Sequence, residues 1–221
     1  MEFWEKEFEC QFCGNSFSQV RVFSSAIIVE SRDEDLKPNY KGVNALYYQL
    51  VTCPRCYLTL FERDFGKLQI PEDKKEAVER VLQNAKKQFG ELNLGRDRTV
   101  DDAIALFSIA AAIYTVIGHR RGAAEAYLKL GWLFREKGDK KEELIALGKA
   151  LKFFEEHYRN DIVKDEEEPM ILFYLGEINR RLGNRKEAVK WFSTLSNKYR
   201  GVSSLFVKAG RERWQEIRDN G

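Results

Sequence analysis

Two hydrophobic periods divide the chain near Pro71. Before it, Val, Ile, Phe and Tyr gather in short runs, "SQVRVFSSAIIVES" and "ALYYQLVTC". These predict β-strands, because β-branched and aromatic side chains suit a pleated, half-buried surface. Between them "RDEDLKPNYKGVN" carries charge together with Pro38, Asn39, Gly42 and Asn44, and predicts a loop. After Pro71 the spacing turns helical almost to the end. It predicts helices near residues 72–89 and 100–117, then "GAAEAYLKLGWLFREKG", "KKEELIALGKALKFFEEHY", "PMILFYLGEINRRLG", "RKEAVKWFSTLSNKY" and "VSSLFVKAGRERWQEIR".

The helical part repeats itself. Leu130-Gly131 and Leu175-Gly176 each precede a Gly-Asp or Gly-Asn turn by the same seven residues. The helices that follow share a small-then-large face, fullest in Ala103/Phe107/Ala110, altered at the end in Ala188/Phe192/Leu195 and weakest in Glu143/Leu147/Ala150. This pattern resembles the tetratricopeptide repeat, in which small residues let paired helices approach and the large one fills the gap between neighbours. Departures are visible: the copies are 40 and 45 residues apart, Glu143 stands where Ala is usual, and Asn179 where an aromatic is. The expected organisation is therefore α+β: a small β-rich N-terminal domain over residues 1–70, then an all-α, tetratricopeptide-like domain over residues 71–221.

Composition and charge narrow the function. A hydrophobic share of 43% with 33% charged residues is that of an ordinary globular protein. Residues 1–70 carry 8 Lys/Arg against 10 Asp/Glu, a net of −2, and the remainder a net of +4. A head built to grip phosphates would be basic, and this one is not. The start, "MEFWEKEFEC", alternates charge with aromatics and lacks the apolar stretch of a signal peptide. The longest uncharged stretch, Ala103 to Gly118, is shorter than the roughly 20 residues that span a bilayer. The expectation is a cytoplasmic protein without a membrane partner, in a reducing compartment where cysteines bind metal or do redox work.

All four cysteines fall in two Cys-x-x-Cys pairs, Cys10/Cys13 in "CQFCGNSF" and Cys53/Cys56 in "TCPRCYLTLF". A two-residue gap lets one tight turn aim two sulfurs at one ion. Two such turns complete the tetrahedron that zinc takes from four thiolates. Glycine after the second cysteine accepts the positive φ that this turn often needs; Gly14 fits, whereas Tyr57 demands a bulkier residue there or a different geometry. Structural zinc is the leading expectation. Iron held in the rubredoxin manner and a redox dithiol remain as alternatives, the latter lacking the βαβ context it usually has. Four cysteine ligands leave no open coordination position, so the metal is expected to do no chemistry.

"CQFCGNSF", "VRVFSSAIIVESRDEDLKPNYKGVNALYYQLVTCPRCYLTLFERDF" and the helical tail together resemble the bacterial family catalogued as domain of unknown function 2225. Its members usually show Asn-Pro where this chain has Asn44-Ala45, and Gly where it has Tyr57. The resemblance implies a fold and a bacterial origin and supplies no activity.

Other candidates are weaker. "ESRDEDLKPNYKG" offers Glu30, Arg32, Asp33, Asp35 and Tyr40 as a ligand or partner cluster, against the reading of a solvated loop with local ion pairs. His119, with Arg120 and Arg121, follows a helix whose C-terminal dipole favours cations; "KDEEEP" reads as a solvated turn. No nucleophile elbow, phosphate loop or paired-carboxylate motif appears, so the chain is not expected to be an enzyme. In the repeat register Leu128, Trp132 and Arg135 share one helical face, as do Phe173, Glu177 and Arg180. An aromatic with arginines beside it suits an extended or helical acidic peptide, although Trp132 and Phe173 fit equally well as core. The expected function is a non-enzymatic scaffold binding a protein segment. The alternative is nucleic-acid association through the head and Lys208, Arg211, Arg213 and Arg218, which the acidic head and the interleaved Glu212, Glu216 and Asp219 disfavour.

Overall fold

Alternating aromatic and charged residues in "FWEKEFE" suit a strand with one face on protein and one in water. In the computed structural model, Phe3–Glu9 forms β1, paired antiparallel with β2 (Ser16–Val22) from Phe3↔Val22 to Glu9↔Ser16. Residues 1–219 are described; residues 220 and 221, the end of the expected helical domain, lie outside them. β3 (Ile28–Arg32) pairs with β4 (Pro38–Lys41), with a bulge between Val29 and Ser31, and β5 (Leu50–Thr52) pairs with β6 (Thr59–Phe61).

Three expectations change here. "SQVRVFSSAIIVES" is not one strand: Phe23 N–H closes the first ladder on Glu2 O, and a 3-10 turn over Ser24–Ala26 separates β2 from β3. The loop expected after Arg32 contains β4, and Pro38 is tolerated because it is the strand's first residue, where the ladder needs no donor. In "ALYYQLVTC" the first four residues form a 3-10 turn, nucleated by Asn44 Oδ1 accepting from Leu46 N–H at 3.2 Å.

The three hairpins do not share a ladder. β2 meets β5 through side chains instead. Buried Gln19 donates to Leu50 O at 3.1 Å and accepts from Thr52 N–H at 2.9 Å. Buried Arg21 donates to Tyr48 O at 2.6 Å and to Leu50 O at 3.3 Å, and pairs with Glu62. A buried polar side chain is tolerable when its hydrogen bonds are made, and here they replace a missing strand partner.

Seven α-helices follow among the described residues, close to their expected spans: α1 (Lys75–Phe89), α2 (Val100–Ile117), α3 (Arg120–Lys137), α4 (Lys140–Asn160), α5 (Glu168–Arg181), α6 (Arg185–Lys198) and α7 (Leu205–Asp219). Thr99 and Asp102 form a capping box that starts α2, and Gly118 at φ 74° ends it. His119 does more than follow α2: its Nδ1 accepts from Gly122 N–H at 3.0 Å, so the ring caps α3. α2 is long and apolar enough to cross a membrane, but Leu106, Phe107, Ile109, Ile113 and Tyr114 are buried within protein, as in a core helix.

Contacts group the chain into two compact units, residues 1–143 and 144–221, divided within α4. In the first, β6 lies on α2 and α3. Phe61 packs against Phe107 at 6.1 Å and Tyr114 at 5.8 Å between ring centres. The Tyr114 hydroxyl donates to Asp64 at 2.5 Å and accepts from Phe61 N–H. Arg63 and Lys129 lie over the Phe61 ring and pair with Glu125 at 2.5 and 2.7 Å. Burial alone would raise the Glu125 carboxyl, but Lys129 and Arg63 outweigh it and hold it at about 2.

In the second unit α5, α6 and α7 enclose Phe173, Phe192 and Phe206. A Cβ on Gly176 would stand 2.6 Å from the Phe192 ring, so the glycine of the Leu-Gly pair is what admits that ring. The small-then-large faces that carried the repeat pattern are buried throughout. So is Glu143, neutralised by Arg135 at 2.8 Å and Lys140 at 2.9 Å. "KDEEEP" is not wholly solvated: its last carboxylate, Glu168, is buried and accepts from Tyr158, Tyr199 and Lys198.

Gly176→Ala is expected to destabilise the second unit by about 1–3 kcal/mol through overpacking. Chemical denaturation checks it, and Gly176→Ala combined with Phe192→Leu should recover part of the loss. Glu125→Gln tests the pH link. A carboxyl depressed from its usual range to about 2 stabilises the fold above pH ~4.5, and that contribution fades as pH falls towards 2. The stability difference between wild type and Glu125→Gln should be on the order of 3 kcal/mol at pH 6 and shrink towards zero near pH 2.

Candidate metal centre

Each cysteine pair sits in the turn of a hairpin, Cys10/Cys13 between β1 and β2 and Cys53/Cys56 between β5 and β6. The two turns are built alike. Cys10 O accepts from Gly14 N–H at 2.8 Å and Cys10 N–H donates to Asn15 O at 2.9 Å. Cys53 O accepts from Tyr57 N–H at 2.8 Å and Cys53 N–H donates to Leu58 O at 2.9 Å. Gly14 stands at φ 67° and Tyr57 at φ 71°. The second turn therefore keeps the geometry and forces a tyrosine into it. That strain, of order 1 kcal/mol, is offset locally: the Tyr57 hydroxyl donates to Gly90 O at 2.8 Å, and Lys86 of α1 lies over its ring while donating to Arg55 O.

The four sulfurs lie within 4.8 Å of one another, with Cys10–Cys56 and Cys13–Cys53 at 3.6 Å. These are not disulfides, in which sulfurs are bonded at about 2.05 Å. Four sulfurs at about 2.3 Å from a common tetrahedral centre stand about 3.8 Å apart, so the cluster is able to hold a metal ion. Cys10 and Cys53 are buried, Cys13 and Cys56 half-buried. Leu58 N–H points at Cys56 Sγ at 3.5 Å and Asn15 Nδ2 at Cys53 Sγ at 3.9 Å, donors that favour thiolates.

The thiols also shift one another's acidity. The hydrogen bond from the Cys56 thiol holds Cys10 down at about 5, and the same bond pushes Cys56 up; burial pushes Cys53 up. One thiolate suppresses its neighbours, and an ion that displaces their protons removes the conflict. Against the first turn pack Phe8, Phe17 and Phe65, with ring centres 5.8–5.9 Å apart, and Gln11 accepts from Gly66 N–H.

The other sequence candidates are placed differently. Leu128 and Trp132 are buried in the first unit, Phe173 and Glu177 in the second. Glu177 is clamped by Arg180 at 2.7 Å and Arg181 at 2.9 Å. Trp132 and Arg135 are engaged by the supposed solvated loop. Trp132 Nε1 donates to Asp35 at 2.9 Å, and the Arg135 guanidinium reaches Asp35 at 2.6 Å, Asp33 at 3.0 Å and Glu143 at 2.8 Å. The acidic cluster thus has a partner, and it is α3 of the same unit. The sequence carries both halves of this contact, and their opposite charge is the signal that links them. Of the basic residues on α7, Arg213 pairs with Glu216 at 2.7 Å, Arg211 donates to Tyr199 O, and Arg218 lies over Trp214.

Two knuckled hairpins presenting four sulfurs, followed by a helical body, define an α+β protein with a four-cysteine centre able to hold a metal ion. Residues 3–217 match the family described as "Uncharacterized protein conserved in bacteria (DUF2225)", and the chain belongs to that family. No curated protein and no solved structure matches it.

Tyr57→Gly and Tyr57→Ala both lose the ring, but only glycine relaxes the positive φ. Tyr57→Gly should be more stable than Tyr57→Ala by about 1 kcal/mol in denaturant titration. Equal midpoints would mean that the turn is not strained.

Proposed function

We propose that this chain is a non-enzymatic, zinc-stabilised scaffold that recognises a protein segment, with a tetratricopeptide-like helical part and a cytoplasmic setting. The observation that carries the reading is the gathering of four sulfurs in one set, with no histidine or carboxylate joining them among the described residues. Zinc accepts such a set as a structural tetrahedron. Cys10, Cys13, Cys53 and Cys56 would hold it, and when bound it would cross-link two hairpins that share no ladder. Unpaired thiols at 3.6 Å suit a reducing compartment.

Magnitude supports a structural role. Zinc binding to small four-ligand modules is worth on the order of 10–16 kcal/mol, comparable with the 5–15 kcal/mol stability of a whole domain. Segment recognition draws support from α3, where Trp132 and Arg135 already hold an acidic stretch through an indole N–H and a forked guanidinium.

Elemental analysis of purified protein should find about one zinc per chain in a colourless solution. Iron tetrathiolate would be coloured and would replace zinc in the reading, and a metal-free, folded chain would end it. Cys53→Ser should lose the ion and become protease-sensitive in residues 1–70 while α5–α7 stay helical; unchanged proteolysis counts against the role given to the ion. A zinc-loaded chain that retains no polypeptide from a native lysate, against a bead control, would contradict the binding half.

A further inference from the structure

The turn joining β3 and β4 is held by α3 much as a peptide ligand is held by a receptor. Asp35, Leu36 and Lys37 are buried, whereas β3 is exposed along its whole length, including Ile28 and Val29. The hairpin thus has one exposed strand, β3, one half-buried strand, β4, and a docked tip. The tip is shaped for docking at some expense. Leu36 stands at φ 64°, a region unfavourable for a branched side chain, in a turn closed by Asp33 N–H to Lys37 O and Leu36 N–H to Asp33 O, each at 2.9 Å.

The receptor side is specific. Arg135 offers two nitrogens to Asp35, at 3.1 and 2.6 Å, and a third contact to Asp33 at 3.0 Å. Trp132 adds its indole N–H to Asp35 at 2.9 Å. A planar fork reading one carboxylate, with a second carboxylate two residues away, is geometric recognition that a point charge would not give. Glu143 at 2.8 Å fixes the guanidinium from its Nε side, so the fork is aimed before the turn arrives.

We infer that the α3 face of Trp132 and Arg135 is a recognition site for acidic turns with two carboxylates in Asp-x-Asp spacing. The chain's own Asp33 and Asp35 fill it, and such a turn from another polypeptide competes for it when the hairpin lifts. The inference rests on the segment-binding reading above and names its ligand. The tethered turn acts at an effective concentration that a free segment must exceed, so the site is muted until the hairpin is released.

The test uses the full chain and two labelled peptides spanning Ser31 to Asn39, one as in the sequence and one with both aspartates as asparagine. In an Asp33→Asn/Asp35→Asn variant the acidic peptide should bind at least about tenfold tighter than it binds wild type, and about tenfold tighter than the amide peptide binds the variant. Equal affinities in these arms overturn the inference. If the variant loses helix content, hydrogen exchange on wild type decides. Excess acidic peptide should speed exchange at the Asp33 and Leu36 amides about tenfold, the amide peptide should not, and unchanged rates overturn the inference. A wild-type dimer dispersed by the acidic peptide would identify a second copy as one natural occupant and would support the site. Because the titration needs no natural partner, it can succeed where lysate capture fails, which separates the two readings.

Discussion

Four sulfurs brought within 4.8 Å are the constraint from which the N-terminal region follows. Crowded thiols resist common ionisation, so the cluster is poor as bare protein and good as a ligand set. Bringing it together requires two hairpins, each with a knuckle of the same hydrogen bonding, facing one another across a seam. The knuckle geometry then dictates the residues beside it. Glycine follows Cys13 without difficulty. Tyrosine follows Cys56 where Gly90, just past the end of α1, receives its hydroxyl and Lys86 of α1 lies over its ring. A local backbone demand is thereby transmitted into a contact between a β-turn and a helix.

A second set of constraints ties hairpins to helices through charge. Glu125, half-buried between Arg63 and Lys129, and Asp35, buried beneath Trp132 and Arg135, are carboxylates held by fixed cations. Pairs of this kind are weak evidence for net stability, because desolvation offsets attraction. They are strong determinants of arrangement, because removing one partner strands the other. Specificity of docking is their contribution, with aromatic packing of Phe61 on Phe107 and Tyr114 supplying the apolar gain.

Much of this was legible in the residues. Helices with a 3.6-residue period announced themselves, α2 to its ends, because Thr99 and Gly118 are cap residues of the expected kinds. The cysteine spacing pointed to one metal site. What the linear pattern hid was non-local. β4 was masked by Pro38 and the charges around it, since turn chemistry and an edge strand share a composition. Gln19 and Arg21 look like solvent-facing positions of an alternating strand and are buried because β5 lacks a ladder partner there. Trp132 and Arg135 were legible as anchors for acidic chain, but their present ligand lies about a hundred residues away, beyond any local periodicity. Glu143, at an alanine position of the repeat, is explained only by the same arginine.

The seam between β2 and β5 has one more consequence. A ladder resists shear through many equivalent bonds, whereas one carboxamide and one guanidinium resist it at two points. An ion spanning the knuckles would be the third point, and three non-collinear tethers are what make two ribbons a rigid plate. Without it each ribbon keeps its own ladder and the tethers at Gln19 and Arg21, so metal depletion would loosen the knuckle end of the seam before any strand melts.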